Sequence, residues 1–140
     1  MLQLLHDLVV GFKGSILGFE EFDEFKLSVL DAESPYIYLQ SVQNENLGFL
    51  VVTPFVFYPE YTFEIEENDK TILGIESQED VVVLNMLTLK DDFTKSTVNL
   101  LAPLILNIRL KQARQIVLPP KTDYVTTMPL FRDSLPGSGE

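Results

Sequence analysis

Apolar residues recur with a period of two along much of this chain, in short segments bounded by turn-forming residues. In residues 104–111 every even-numbered position is leucine or isoleucine, whereas the odd-numbered positions include asparagine, arginine and lysine. Successive side chains of a strand point to opposite faces, so this alternation predicts a half-buried β-strand with one wet face. Leu104, Leu106 and Ile108 are predicted to belong to the core.

Further strands are predicted on both sides of this segment. Val81–Leu89 is apolar almost throughout and begins with β-branched residues, which predicts a strand buried on both faces, with Val81–Leu84 in the core. Arg114–Leu118 is predicted to pair back on residues 104–111 as a hairpin. Four shorter strands are each bounded by turn residues: Phe25–Leu30, Tyr36–Ser41, Phe49–Val52 and Tyr61–Glu66.

Helical signals are few. Asn68 or Asp69 is predicted to cap a short helix that Gly74 ends, and a second helical turn is predicted to begin at Ser77. The predicted fold class is therefore all-β, or β-dominated: a small barrel-like domain of many short antiparallel strands with one or two short helical turns. At 140 residues the chain is predicted to form one domain over residues 1–133, followed by a flexible tail over 134–140.

Negative charge is concentrated in the first part of the chain. Residues 1–80 hold 16 acidic and 3 basic residues, a net charge of −13, whereas residues 81–140 have a net charge of +2. The overall charge of −11 disfavours direct binding to nucleic acid or to anionic membranes. In a single domain this asymmetry predicts one acidic face, which is either a solubilising surface or a landing site for a basic partner.

Most catalytic and metal-binding classes lack their residues. The absence of cysteine excludes disulfides, thiolate metal sites and cysteine nucleophiles. His6 is the only histidine, and its position near the N-terminus indicates a structural or exposed residue rather than a catalytic base. Acidic residues crowd around Glu64–Asp69, but neither a calcium-loop glycine nor a full ligand set is present, so no metal and no cofactor are predicted. An enzyme that uses clustered carboxylates, a hydrolase or a metal-dependent one, remains the alternative.

Neither a secretory signal nor a membrane-spanning segment is visible, so a cytoplasmic location is expected. Aromatic residues are dense in the segment 54–61, between and beside two prolines. These rings are predicted either to plug the end of a barrel or, for one or two of them, to anchor a partner protein.

Motifs through most of the chain resemble the flagellar assembly factor FliW family. They occur in the family's order at Leu17–Glu20, Tyr38–Val42, Phe49–Phe55, Phe57–Tyr61, Ser77–Val81 and Ser96–Asn107. Two features depart from the family's pattern. Only residues 1–17 precede the Gly-Phe motif, which predicts a shortened or altered first strand, and Ser15-Ile16-Leu17-Gly18-Phe19 lacks the family's proline.

The resemblance implies a β-barrel-like protein without catalytic activity that binds the RNA-binding translational regulator CsrA and, alternately, flagellin. When flagellin is exported, the released protein captures CsrA and flagellin translation resumes. Antagonism by RNA mimicry and by an indirect mechanism both remain open, as does a chaperone that binds flagellin alone. A monomer is expected.

Candidate partner-binding residues fall into three groups, which are polar, aromatic and acidic. The polar group, at a strand-to-loop junction, could also serve turn geometry alone. The groups are Gln40, Ser41, Gln43 and Asn44; Phe55, Phe57 and Tyr58; and Glu60, Glu64, Glu66 and Glu67.

Overall fold

The computed structural model describes residues 2–29, 31–119 and 123–131, and the predicted flexible tail of residues 134–140 lies outside them. The described residues form nine strands, one α-helix and four 3₁₀ turns. The strands are β1 Val9–Gly11, β2 Glu24–Ser28, β3 Tyr36–Ser41, β4 Gly48–Val52, β5 Val81–Thr88, β6 Thr97–Val98, β7 Leu104–Asn107, β8 Gln112–Gln115 and β9 Met128–Pro129. The helix α1 spans Glu67–Leu73, and the 3₁₀ turns span Leu2–Leu5, Pro54–Val56, Gln78–Asp80 and Phe93–Lys95. None of the described helices has the length and apolarity that a membrane span requires.

Seven strands close into a barrel. They follow one another in the order β4-β3-β2-β1-β8-β7-β5, and β5 pairs back with β4. All of these pairs are antiparallel except β1 with β8, which is parallel. The strands β6 and β9 extend the sheet beyond β5. The predicted barrel-like, all-β fold is confirmed.

The alternation of apolar residues explains the inner strands. In β3, which has the predicted bounds, Ile37 and Leu39 are buried while Tyr38 between them is exposed. The strand β1 is the N-terminal strand, and it is short, since only Val9–Gly11 pair with β2. The predicted shortening or alteration relative to the family's first strand stays a prediction.

Two clusters of buried apolar side chains form the core. The first lies inside the barrel and includes Phe12 and Phe25, whose rings meet edge to face with centroids 5.5 Å apart. The second packs Leu73 of α1 against Tyr58 and Tyr61 and against side chains from the sheet. The second cluster therefore holds the helix and the segment that precedes it in place.

The strand predicted in residues 104–111 is shorter than expected and has no wet face. β7 ends at Asn107, and all four of its residues are buried, because Leu104 and Leu106 point into the barrel cluster while Ile105 and Asn107 lie under the second cluster and α1. Leu110 is exposed in the turn that leads to β8. The predicted hairpin forms, with Leu104 opposite Gln115, but its second strand is Gln112–Gln115 and not Arg114–Leu118 as predicted.

Residues 61–66 do not form the predicted strand. Side-chain exposure alternates from Tyr61 to Glu66 as a strand would require, but no strand of the described residues pairs with this segment. Alternation of apolar and polar residues indicates an extended chain with one buried side. It does not show that a neighbouring strand is present to form hydrogen bonds with that chain. The helix also begins earlier than predicted, because Glu66 is its N-cap residue, whereas its predicted end at the left-handed Gly74 (φ 66°) is confirmed.

Candidate functional site

A groove of about 1030 Å³ runs along the unpaired segment that leads into α1. The segment forms one wall, and the chain from the end of α1 to the start of β5 forms the other. Phe55, in the 3₁₀ turn Pro54–Val56, also contributes to the lining. The groove residues are Phe55, 61–67, Lys70, 75–78, Val81 and Val83.

The acidic side of the groove is only partly neutralised. Glu64, Glu66 and Glu67 are all exposed. Lys70 lies 3.3 Å from Glu67, but within the described residues no basic side chain forms an ion pair with Glu64 or Glu66. These two carboxylates therefore present negative charge directly to solvent.

Basic residues from the second part of the chain neutralise other nearby acids. Arg109 Nε is 3.2 Å from Asp80, and its Nη2 is 3.6 Å from Glu76, which belongs to the groove. Arg114 Nε donates to Asp69 at 3.0 Å. Folding thus neutralises some of the acids of the first part of the chain, whereas Glu64 and Glu66 in the groove, like the exposed Glu33 and Glu45 elsewhere, form no ion pair with a described residue.

Apolar side chains line the rest of the groove. Phe63, Ile65 and Ile75 are half-buried there, and so are Val81 and Val83. Of the predicted core residues Val81–Leu84, only Leu84 is buried: Val81 and Val83 line the groove, and Val82 is half-buried against the barrel cluster. A partner that covers these side chains would remove apolar surface from water.

Of the three aromatic candidates, one faces the groove. Phe55 is 46% exposed. Phe57 is half-buried, with its ring centroid 6.0 Å from that of Phe131. Tyr58 is buried, and its hydroxyl donates to the Pro129 carbonyl. Tyr58 therefore belongs to the packed interior and Phe57 partly so, whereas the role of the exposed Phe55 as an anchor for a partner stays a prediction.

The buried side chain of Tyr61 anchors the acidic wall of the groove to the interior of the protein. Its hydroxyl donates to the Leu100 carbonyl at 2.7 Å and accepts from Asn85 Nδ2 at 3.3 Å. Burial raises the pKa of Tyr61 to about 12. The Tyr124 ring packs edge to face on Tyr61 at 4.7 Å, and its hydroxyl bridges the amide and carbonyl of Thr62.

No pattern in the sequence predicts this anchor. Tyr61 belongs to the predicted strand Tyr61–Glu66, and Asn85 stands within the apolar run Val81–Leu89. The available signal was Asn85 itself, since an amide in the middle of a buried strand requires hydrogen-bond partners. It donates to Tyr61 and to the Asn99 carbonyl, while its Oδ1 has no partner among the described residues.

The four polar candidates serve the β3–β4 loop. Gln40 Nε2 donates to the carbonyls of three loop residues, with the shortest contact, 2.8 Å, to Glu45. Ser41 Oγ accepts from the amides of Gln43 and Asn44. Asn44 Oδ1 accepts from the Asn46 amide, and Gln43 Oε1 accepts from the Asp23 amide. These hydrogen bonds shape the loop.

The fold brings some candidates together and separates others. Phe55 shares the groove with Glu64, Glu66 and Glu67. Glu60 is exposed in the preceding turn and is not among the groove residues. The residues 40–44 lie at the opposite end of the β3–β4 hairpin from Phe55, because Gln40 pairs with Gly48 whereas Tyr36 pairs with Val52.

Within the described residues, no group of three or more histidine, aspartate or glutamate side chains is placed to hold a metal ion. His6 has a structural contact, since its Nδ1 accepts from the Val29 amide at 2.9 Å.

Comparison with known proteins gives one consistent result. A family model described as FliW protein matches residues 2–130. The chain is 41% identical to the flagellar assembly factor FliW of Bacillus licheniformis, over 91% of this chain and 89% of that relative. It is 38% identical to that of Bacillus subtilis, over 95% and 92% respectively. A crystal structure of the flagellar assembly factor FliW superposes with a TM-score of 0.83 at 35% identity, covering 91% of this chain and 89% of that one.

Proposed function

The chain belongs to the FliW family of flagellar assembly factors, and from that membership we propose that it binds two proteins in turn, the translational regulator CsrA and flagellin. Its role in flagellar assembly is non-catalytic, since its relatives are named as assembly factors and not as enzymes. The carboxylate-enzyme alternative is therefore set aside. In this proposal, flagellin occupies the protein until it is exported, and the released protein then captures CsrA in the cytoplasm.

The observation that carries the proposal is the groove, in which Glu64 and Glu66 stand beside apolar side chains and the exposed Phe55. A regulator that binds RNA must present basic surface, because phosphate contacts are made by lysine and arginine. Unneutralised carboxylates attract such a surface, and an aromatic ring with apolar neighbours supplies the area that gives a complex its lifetime.

Calorimetry with the purified chain tests the proposal directly. CsrA and flagellin are titrated separately and then in competition, over a series of salt concentrations. We expect a saturable complex with each protein and displacement of one by the other. The rate of association with CsrA, measured by stopped-flow mixing, should fall as salt rises. Absence of CsrA binding at low salt contradicts the proposal, and binding to flagellin alone identifies a flagellin chaperone instead.

The same titrations with RNA present separate the two routes of antagonism. If the carboxylates occupy the phosphate path, RNA and this protein exclude each other on CsrA. If the protein binds beside the RNA site, a ternary complex forms and each ligand weakens the other by the same factor.

A further inference from the structure

The backbone groups of three consecutive residues in the groove wall have no hydrogen-bond partner in the described part of the chain. Neither the amides nor the carbonyls of Phe63, Glu64 and Ile65 form a hydrogen bond with any described residue. Hydrogen bonds fix the chain on both sides of this stretch. Before it, the Tyr124 hydroxyl bonds to the amide and the carbonyl of Thr62, and after it, the Glu66 carbonyl accepts from the Lys70 amide at 3.0 Å. An extended stretch with open hydrogen-bonding groups is thus fixed at both ends.

The direction of these groups follows from their alternation. In an extended chain the amide and carbonyl of one residue point to the same edge, and successive residues alternate. Both groups of Thr62 meet Tyr124, so those of Glu64 point to that side. The groups of Phe63 and Ile65 point to the opposite edge, away from Tyr124.

The start of β5 has a matching open edge. The Ile108 amide donates to the Asp80 carbonyl at 2.9 Å, immediately before β5 and in register with its pairing to β7. Hydrogen-bonded and non-hydrogen-bonded residue pairs alternate along two antiparallel strands. The backbone amides and carbonyls of the even-numbered residues of β5 therefore point toward β7. Val81 and Val83, which line the groove, therefore turn their backbone groups to the other edge.

No described strand covers that other edge at its start. The strand β4 pairs with β5 only from Asn85 onwards. The Val81 amide donates to the Gln78 carbonyl. The Val81 carbonyl and the amide and carbonyl of Val83 have no hydrogen-bond partner among the described residues. The groove is thus bordered by unpaired backbone on the β5 side and on the side of residues 63–65.

We infer that the groove accepts an extended, basic segment of a partner protein as an additional β-strand, paired with the backbone of residues 63–65, of the start of β5, or of both. This inference rests on the proposed function, because it assigns a binding mode to the same groove. Strand addition of this kind takes affinity from main-chain hydrogen bonds and specificity from alternate side chains.

The charges indicate a basic partner strand. Glu64 and Glu66 lie on the exposed face of their segment, where lysine or arginine at alternate positions of an added strand would face them. The apolar residues of the added strand would then cover Ile65 and Ile75. Pairing with residues 61–67 of a second copy would instead place glutamates opposite glutamates, and residues 132–140 contain one basic and two acidic residues.

Residue-resolved hydrogen exchange by NMR, on the full chain with and without CsrA, tests the inference. We expect the amides of Phe63, Ile65 and Val83 to exchange at least about tenfold more slowly in the complex, in one or both walls. The amide of Glu64, which points the other way, is the internal control and should keep its rate.

A matched pair of variants isolates the amide of Ile65. Ile65→Ala and Ile65→Pro both replace isoleucine with a smaller apolar side chain, but only proline also removes the N–H donor. The extended residue before position 65 tolerates a following proline. We expect Ile65→Pro to weaken CsrA binding about fivefold to tenfold more than Ile65→Ala does. Thermal unfolding of both variants checks the fold, and the exchange measurement on the unmodified chain requires no variant.

The outcomes separate this inference from the proposed function. If CsrA binds while all three amides exchange as in the free chain, or while Glu64 slows equally, strand addition is wrong and the proposed function stands. If CsrA does not bind at all, the proposed function fails. Protection that rises with the concentration of the chain alone, or that only flagellin produces, overturns the basic partner strand.

Discussion

The β3–β4 loop and the groove segment 61–67 are both rich in polar residues, but they use their polar groups in opposite ways. In the loop, Gln40 and Ser41 bond to neighbouring backbone groups, and little hydrogen-bonding capacity is left for a partner. In the groove segment, Glu64 and the backbone around it bond to none of the described residues. The two regions are similar in composition, but hydrogen bonds to neighbouring backbone occupy the polar groups of the loop, whereas those of Glu64 and its neighbours have no partner among the described residues.

Among the variants that test this contrast, charge reversal in the groove should have the largest effect on binding to CsrA. The double variant Glu64→Lys and Glu66→Lys is expected to slow association with CsrA at low salt by roughly 10- to 100-fold, since steering depends on local charge. Its free energy of unfolding should change by less than about 0.5 kcal/mol, because both side chains are exposed. Stopped-flow mixing measures the rate.

The matched control for that variant reverses two exposed glutamates outside the groove, Glu33→Lys and Glu45→Lys. It has the same net charge. If both double variants slow association equally, overall charge rather than the groove attracts the partner.

Removal of the exposed ring should have the next largest effect. Phe55→Ala is expected to raise the Kd for CsrA about 10- to 30-fold, as truncation of an aromatic anchor does. Phe93→Ala is the control, because Phe93 is 42% exposed and does not line the groove. Equal losses in the two variants, measured by calorimetry, would show that Phe55 is not an anchor.

A change in the loop should affect stability and not binding. Gln40→Ala removes the donor to three carbonyls and is expected to lower the free energy of unfolding by about 1–2 kcal/mol, with the Kd for CsrA unchanged. Gln43→Ala, which loses a single bond to the Asp23 amide, should cost less. Urea unfolding measures both, and weaker CsrA binding by a fully stable Gln40→Ala protein would contradict the structural role of the loop.

The smallest expected effect is on the pH dependence of stability, through Tyr61, which anchors the groove wall. The pKa of Tyr61 is raised to about 12 in the folded chain. The unfolded chain ionises near its ordinary value of about 10, so the contribution of Tyr61 to stability is complete below about pH 10 and is lost as pH rises toward the folded pKa.

Tyr61→Phe removes this ionisation. The variant should be less stable by about 1 kcal/mol at neutral pH, because two hydrogen bonds are lost, and the gap should narrow above about pH 10. Urea unfolding of both proteins across that range measures the gap. A gap that stays constant with pH would mean that the Tyr61 hydroxyl is not shielded from water.

Local sequence signals were sufficient for elements whose residues are close in the chain. The bounds of β3, the β7–β8 hairpin and the end of α1 at Gly74 follow from alternation and turn chemistry. The 3₁₀ turn after Ser77 is also as predicted, with Ser77 Oγ accepting from the Glu79 amide. These features depend on neighbours within a few residues, so a local pattern contains the information.

Contacts between distant segments were not predictable in this way. Tyr124 contacts Thr62 across 62 positions, and Asn85 contacts Tyr61 across 24. Period-two apolarity at residues 61–66 predicted a strand, and this prediction is wrong because alternation could not show that the neighbouring edge of β5 stays open. Pairing is decided by which segments the closed barrel brings side by side.

The sequence by itself determined that this chain is a β-rich domain of the FliW family with an acidic first part, because periodicity, composition and family motifs are properties of residue order. Only the tertiary structure decided which acids remain unneutralised. Arg109 and Arg114, far along the chain, fold back to pair with Asp80 and Asp69, while Glu64 and Glu66 receive no such partner among the described residues. Coulomb energy depends on distance in space and not on separation in sequence, so the location of the remaining charge is a property of the fold.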